Sequence, residues 1–289
     1  MRPKLVAAMA EISAKDVAAL RKQTGAGMLD CRTALQETGG DIEAAKDWLR
    51  TKGLAGAAKR AGREAQDGAV EVLVVDGVGA IVELNCETDF VAKGADFRNM
   101  LAALTKIVAE QGDDDLESRP YEGATVGDAV KQLGATLGEN VAIGRVARVE
   151  SADGIVDGYK HIQSERGTIG VLVEVGGVDP SDARAREVAH DIALHIASAA
   201  PQYVTRDDVP AEVVEKERTV LEELTRNEGK PEQALPKIVE GRLNGFYKST
   251  VLVEQPFVRE PKTTVGKLLG ELGKDATVRR FVRIQVGAE

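Results

Sequence analysis

The chain has 289 residues, of which 43% are hydrophobic and 29% are charged, and its formal net charge is -9. This length is enough to bury one large core or two to three smaller ones, so we expect a globular protein. The negative balance argues against a nonspecific grip on DNA or RNA phosphates and favours a partner with a basic surface.

The first sixty or so residues have the pattern of three small helices. Ser13 is placed to cap the first helix, with Asp16 three residues later as its partner. Met28, Cys31 and Leu35 recur at helical spacing, which predicts that all three face inward. We expect the helices to begin after Ser13, at Met28 and after Asp41, with the segment TGAG at 24–27 as the first turn. The sequence therefore predicts a compact three-helix unit.

A different kind of structure follows a predicted helical tether at residues 55–65. Val70, Val72 and Val74 alternate with other residues, and residues 80–84 alternate again, which is typical of a β-hairpin with its turn at 77–79. Beyond the hairpin we predict a helix over 97–108, an acidic loop over 112–123, a helix from about 125 and a strand over 141–150.

This module occurs twice in the sequence. The aligned segments are GAIVEL at 79–84 with GVLVEV at 170–175, TVG at 125–127 with TVG at 264–266, and RVARV at 145–149 with RFVRI at 280–284. A fixed internal similarity of this kind predicts two related α+β subdomains. The fold class expected is therefore α+β, with a helical unit in front of a duplicated core.

The second copy is longer than the first between its hairpin and its TVG segment. The interval is 125 minus 84, or 41, in the first copy and 264 minus 175, or 89, in the second, so the second copy carries 48 additional residues. Two apolar helical patterns flank a turn at 229–231 within this insertion. We expect an antiparallel helical hairpin at about 201–246 that projects from the core.

The loop after the second hairpin strand also differs between the copies. The first copy reads NCETDFV at 85–91, whereas the second reads GGVDP at 176–180 and has no aromatic residue. Phe90 is one of five phenylalanines in the chain. A shared scaffold role would predict a counterpart in the second copy, so a functional, outward ring is one interpretation. The other is that Asp89 caps the next helix and Phe90 folds back onto the core.

Residue patterns for catalysis, metals or nucleotides are incomplete. His190 and His195 lie five positions apart, which turns them to different faces of one helix and favours structural roles. The segment Gly266-Lys267 lacks the first glycine and the hydroxyl residue of a phosphate loop. Cys31 and Cys86 have no Cys-x-x-Cys spacing, which predicts a reducing cytoplasm. We expect no catalytic residue, no cofactor, no metal, and no direct contact with nucleic acid or membrane.

Five segments taken together resemble the bacterial elongation factor Ts family. They are LRKQTGAGMLDC at 20–31, NCETDFVA at 85–92, VVEKE at 213–217, and EQPFV at 254–258 with TVG at 264–266. They follow the family's order over nearly the whole chain, from Met9 to Val286. The resemblance implies a guanine-nucleotide exchange factor that binds elongation factor Tu in its GDP-bound and nucleotide-free states.

The resemblance also assigns residues to partner contacts. It implies that a loop of Thr88, Asp89, Phe90 and Val91 enters the partner's nucleotide domain near its magnesium site and promotes GDP release. It implies a second grip on the same domain by the helical unit. The residues expected there are Leu20, Thr24, Gly25, Ala26, Gly27, Met28 and Leu29. It further implies that the second core half contacts another domain of the partner.

The resemblance divides the chain into parts. We expect an N-terminal extension (1–10), a ubiquitin-associated-like helical domain (11–54), a helical linker (55–67), a first core subdomain (68–151), a second core subdomain (152–200 and 247–289) and a coiled-coil hairpin (201–246) that is able to form a homodimer. From the resemblance we expect the extension to precede the family's usual start, and we expect none of the contacts that some members make through a carboxy-terminal helical module. The alternative function is a noncatalytic scaffold that binds polypeptides through the ubiquitin-associated-like domain.

Overall fold

Three helices at the amino-terminal end of the computed structural model surround a small core. The structure describes residues 12–60 and 62–288, so the predicted extension at 1–10 lies outside the described residues. The side chain of Ser13 accepts the N–H of Asp16 at 3.1 Å and caps the first helix, as predicted. Gly25 ends that helix in the left-handed region, with φ 69°. The helices are α1 (Ala14–Thr24), α2 (Met28–Glu37) and α3 (Ile42–Arg60).

The inner faces of these helices differ from the prediction at one position. Cys31 and Leu35 are buried as expected, but Met28 is 53% exposed. Helical side chains lean toward the helix start, so the side chain of a first-turn residue projects beyond the packed part of α2. α3 continues without interruption to Arg60, so the first part of the predicted helical tether belongs to this helix. The core side chains of this helical cluster are Val17, Leu20, Cys31, Ala34, Leu35 and Ala45.

The first half of the core is a three-stranded antiparallel sheet covered by helices on one face. The central strand β2 pairs with β1 on one side and with β5 on the other. Phe97 is fully buried between α5 and this sheet. The elements are β1 (Asp67–Val75), β2 (Val78–Cys86), α4 (Asp89–Lys93), α5 (Ala95–Gln111), β3 (Pro120–Tyr121), β4 (Ala124–Thr125), α6 (Val126–Leu137) and β5 (Ala142–Glu150).

The hairpin between β1 and β2 turns earlier than the sequence suggests. Asp76 and Gly77 form the turn with φ values of 49° and 78°, and Val75 pairs with Val78. Two successive positive φ values are typical of the two-residue turn that matches strand twist. Gly79, which we predicted in the turn, lies inside β2 instead.

The second half repeats this arrangement. Its central strand β7 pairs with β6 and with the closing strand β10, so the strand order matches that of the first sheet. Each central strand carries a buried glutamate paired with an arginine of its closing strand: Glu83 with Arg145 at 2.8 Å and Glu174 with Arg280 at 2.9 Å. The elements are β6 (Ile155–Gln163), β7 (Arg166–Gly176), α7 (Ala183–Ala199), α8 (Ala211–Asn227), α9 (Leu235–Thr250), β8 (Pro256–Phe257), β9 (Glu260–Thr264), α10 (Val265–Gly270) and β10 (Thr277–Gln285).

The two sheets pack against each other at glycines. A Cβ on Gly79 would lie 2.8 Å from Leu172, and one on Gly170 would lie 2.6 Å from Ile81. A Cβ on Gly158 would lie 2.7 Å from Val72. Each glycine of one sheet therefore receives a branched side chain of the other. The side chains shared by the two sheets are Val70, Ile81, Val149, Val156, Leu172 and Ile284.

The insertion in the second half contains two helices that pack on each other. Leu221 of α8 packs with Val239 and Leu243 of α9, and all three are buried. Val220 and Leu224, also part of the apolar pattern of this helix, are about half exposed, at 51% and 47%. A pair of helices has one shared face, so apolar residues beyond that face stay in contact with solvent. None of the helices in the described ranges has both the length and the apolar character needed to cross a bilayer.

Candidate partner-binding surfaces

Phe90 lies at the exit of the central strand of the first sheet. Thr88 caps the one-turn helix α4, since its Oγ1 accepts the N–H of Val91 at 3.5 Å. The ring of Phe90 is 82% exposed. The alternative in which Asp89 caps the helix and Phe90 folds back onto the core is therefore wrong for this structure.

The direction of the ring follows from how α4 packs. Ala92 is buried and Val91 packs against the first core, so these two residues fix one face of α4. Phe90 precedes them and lies on the opposite face. Lys93 reaches back over the ring at 5.8 Å from its centroid, and its Nζ pairs with Asp89 at 2.6 Å. The hydrogen bond from Lys93 lowers the pKa of Asp89, so the carboxylate next to the ring stays ionised at neutral pH.

A second carboxylate fixes the backbone that precedes the ring. Glu139, between α6 and β5, accepts the N–H groups of Glu87 and Thr88 at 3.0 Å each and the hydroxyl of Thr88 at 2.5 Å. Glu87 in turn accepts the N–H of Asn140 at 2.7 Å, and this bond lowers the pKa of Glu87. The Phe90 loop (residues 87–91) is thus held from two directions while its aromatic side chain remains free.

The helical cluster presents a second apolar surface. Leu29 is 79% exposed and lies next to Met28 at the start of α2. Thr24 and Ala26 are half-buried, and the Thr24 hydroxyl donates to the carbonyl of Leu20 at 2.8 Å. Leu20 was expected to contact the partner, but it is fully buried. Its side chain forms part of the helical core and is not available for that contact. The TGAG segment serves as the turn between α1 and α2.

Both surfaces are connected through α6. A Cβ on Gly25 would lie 2.9 Å from Cγ2 of Thr136, and one on Gly53 would lie 3.0 Å from Cβ of Ala135. The helical cluster therefore rests on the last turn of α6, whose end continues into Glu139. The last turn of α6 thus lies against the helical cluster, and Glu139, two residues after α6, binds the Phe90 loop.

The family model described as "Elongation factor TS" matches residues 87–288. An elongation factor Ts of Micrococcus luteus is 50% identical over 284 residues, which cover 96% of this chain and 100% of the relative. An elongation factor Ts of Streptomyces avermitilis is 48% identical over 287 residues, with 96% and 100% covered. The chain belongs to the elongation factor Ts family.

Membership in the elongation factor Ts family confirms the resemblance found in the five sequence segments. It implies a role in nucleotide exchange on elongation factor Tu during translation, without chemistry on a covalent bond. Fold class agrees at the level of a mixed helix and sheet protein with an amino-terminal helical cluster.

The contacts of His190 and His195 in this elongation factor Ts family member are those of structural residues. His195 is fully buried and shares a 2.8 Å hydrogen bond with Gln255, and burial lowers its pKa. His190 is exposed and pairs with Asp157 at 3.0 Å. The two rings lie on different faces of α7, as their spacing predicts. Within the described ranges, the acidic, histidine and cysteine side chains form no group of three suited to hold a metal ion.

Glu139 is the residue that the sequence reasoning missed. Its signal was present in the same internal alignment that revealed the insertion. Eleven positions separate Gly134 from Arg145, but only seven separate Gly273 from Arg280. The first copy therefore has four additional residues in the interval that contains Glu139.

Proposed function

We propose that the chain binds elongation factor Tu in its GDP-bound and nucleotide-free states and promotes the release of GDP and its exchange for GTP. The observation that carries this proposal is the outward ring of Phe90, which is 82% exposed on a loop with a fixed backbone. An apolar ring held away from its own core is suited to a pocket on another protein. Family membership supplies the identity of that protein.

In this proposal the loop of Thr88, Asp89, Phe90 and Val91 enters the partner near its magnesium site. Each of these residues has a role in the proposal that follows from its contacts. Phe90 is the inserted side chain, and Asp89 brings an ionised carboxylate close to the bound cation. Thr88 and Val91 support them, because the hydroxyl of Thr88 is bound by Glu139 and Val91 packs against the first core.

The mechanism is a linkage between two binding equilibria. If the chain binds the nucleotide-free partner more tightly than the GDP-bound partner, it weakens GDP binding by the same factor. Burying the Phe90 ring would supply about 1.5–3 kcal/mol, or about ten- to a hundredfold in an equilibrium constant. A tightly held nucleotide requires more than this single contact. A second grip is therefore needed to hold the partner in the altered state.

The helical cluster supplies that second grip in the proposal. Met28 and Leu29 offer adjacent apolar side chains at the start of α2, and the backbone of Gly25 and Gly27 is exposed beside them. Leu20 is left out of the contact because it is buried. It stabilises the surface from inside.

The remaining assignments are part of the same proposal. We assign residues 11–54 to a ubiquitin-associated-like domain, 55–67 to a linker, and 68–151 and 152–200 with 247–289 to two core subdomains. The helix pair within 201–246 is assigned to a coiled-coil hairpin that supports a homodimer. The second core subdomain would contact a further domain of elongation factor Tu. The protein would act in the cytoplasm, without direct contact to nucleic acid.

The test is release of fluorescent GDP from elongation factor Tu over a range of chain concentrations. Phe90→Ala should reduce the exchange efficiency about ten- to a hundredfold. Val75→Ala is the matched control, since Val75 is also an exposed apolar residue, at 46% exposed, and lies at the other end of the same hairpin. Exchange by Phe90→Ala at the wild-type rate would refute the role of the loop.

The same assay separates the proposal from the scaffold alternative. A scaffold that binds polypeptides through its helical cluster would leave the GDP release rate unchanged when it binds elongation factor Tu. Binding without accelerated release, measured on the wild-type chain, would therefore favour the scaffold.

A further inference from the structure

The end of α6 and the residues after it contact both proposed partner-binding surfaces. Ala135 and Thr136 lie against glycines of the helical cluster, as described above. Glu139 accepts backbone N–H groups of the Phe90 loop, and the backbone N–H of Asn140 donates to the side-chain carboxylate of Glu87 in that loop. Asn140 also donates its side-chain N–H to the carbonyl of Arg63, just beyond α3, at 2.8 Å. A segment of six residues (135–140) thus joins the helical cluster to the loop.

The internal repeat indicates that this segment serves the loop and not the scaffold. The four additional residues of the first copy lie in the interval between Gly134 and Arg145 that contains Glu139, so the second copy builds the same sheet without them. Counting back from the aligned closing strands, Lys274 corresponds to Glu139, and the carboxylate residue of this segment in the second copy is its neighbour Asp275, which corresponds to Asn140. Its side chain is exposed, and its backbone carbonyl lies against Gly177 of the loop. The carboxylate contact is found in the copy whose loop carries an aromatic ring.

We propose that Glu139 is a positioning residue for nucleotide exchange, and that residues 135–140 set the geometry between the Phe90 loop and the helical cluster. This inference rests on the proposed function. In the proposed function, Glu139 contacts neither the nucleotide nor the magnesium ion. The carboxylate accepts three hydrogen bonds from residues 87 and 88, which fixes the direction in which the ring leaves the surface.

Removing the Glu139 carboxylate should change the maximum rate of GDP release more than the concentration of chain needed to reach it. With the helical cluster intact, the variant still binds elongation factor Tu, but the loop spends less time in the inserted orientation. We expect Glu139→Ala to lower the GDP release rate at saturating chain by about tenfold or more, since hydrogen bonds to a charged group are lost. The half-saturating concentration should change by less than about threefold, because the grip of the helical cluster is retained.

Glu139→Gln is the conservative variant. Its amide oxygen still accepts a backbone N–H, and its NH₂ group is able to donate to the Thr88 hydroxyl. It should recover most of the rate. Asp275→Ala is the matched control in the second copy, and its exchange rate should equal that of the wild type.

Amide hydrogen exchange provides a readout that does not involve the partner. In Glu139→Ala the N–H groups of Glu87 and Thr88 should exchange faster, while those of β2 keep their protection. Fast loop exchange with a wild-type GDP release rate would overturn the positioning role. Unchanged loop exchange would overturn it as well, because Glu139 would then not hold the loop. Loss of protection throughout β2 would make Glu139 a stabiliser of the sheet and would also overturn it.

The two proposals fail in distinguishable ways. If Phe90→Ala exchanges nucleotide at the wild-type rate, the proposed function of the loop is refuted whatever Glu139 does. If Phe90→Ala is slow and Glu139→Ala is fast with a loosened loop, the function stands and the positioning role is refuted.

Discussion

Two phenylalanines seven positions apart should respond in opposite ways to truncation. Phe97 is fully buried in the first core, whereas Phe90 is 82% exposed. Phe97→Ala should lower the free energy of unfolding by about 3–5 kcal/mol, because it removes a core ring and leaves a cavity. For Phe90 only about a fifth of the ring surface is covered by the protein, so its truncation should cost about 0.5 kcal/mol or less. The higher helix propensity of alanine offsets part of that cost.

Urea unfolding followed by far-ultraviolet circular dichroism measures both changes. Fluorescence of Trp48, which packs beside the helical cluster, reports that unit separately. The slope of the unfolding curve should stay constant in Phe90→Ala, since no core is altered. A loss of about 2 kcal/mol or more in Phe90→Ala would show that the ring packs against its own fold in solution, which would refute the reasoning from its exposure.

Three further predictions concern the helical surface, a thiol and the glycines. Met28→Ser with Leu29→Ser should raise the half-saturating concentration in the GDP release assay about tenfold or more, because two exposed apolar contacts are lost; an unchanged value would remove this surface from the interface. Burial raises the pKa of Cys86 from 9.0 to about 12, so its stabilising contribution is present below pH 9 and is lost as the pH rises toward 12. Cys86→Ala should therefore flatten the decline of urea stability between about pH 8 and pH 10.5, and an equally steep decline would contradict the assignment. Gly245→Ala, in open space within α9, should stabilise the chain by about 0.5–1 kcal/mol, whereas Gly170→Ala should destabilise it by about 1–3 kcal/mol; thermal unfolding compares the two.

Local sequence patterns were sufficient to predict features that lie within a single helix or hairpin. Ser13 caps α1 because its side chain and the N–H of Asp16 are neighbours in sequence. The strands of the first hairpin were readable from alternation for the same reason. The turn between β1 and β2 was placed wrongly because Gly79 was interpreted as a turn residue. Its real constraint is a side chain of β7, some ninety positions away, which no local pattern contains.

In the candidate surfaces, too, local sequence predicted some features, whereas others depend on contacts between distant residues. The repeat comparison identified Phe90 as unusual, but its outward direction depends on the packing of Val91 and Ala92 against a distant core. Leu20 was assigned to the partner contact by resemblance, and only the packing of three helices shows that it is buried. Glu139 was missed because its role is a contact across fifty positions with the Phe90 loop. Reasoning from length differences between the copies would have pointed to its neighbourhood.

The glycines between the two sheets limit whether one half of the core can be replaced by the same half of a relative. Each glycine accommodates a particular branched side chain of the opposite sheet, so the two interfaces are complementary in shape. A chimera that combines the first half of this chain with the second half of a relative would fold only where small residues again meet large ones. The duplicated halves are therefore expected to have diverged as a matched pair, with compensating substitutions across the seam.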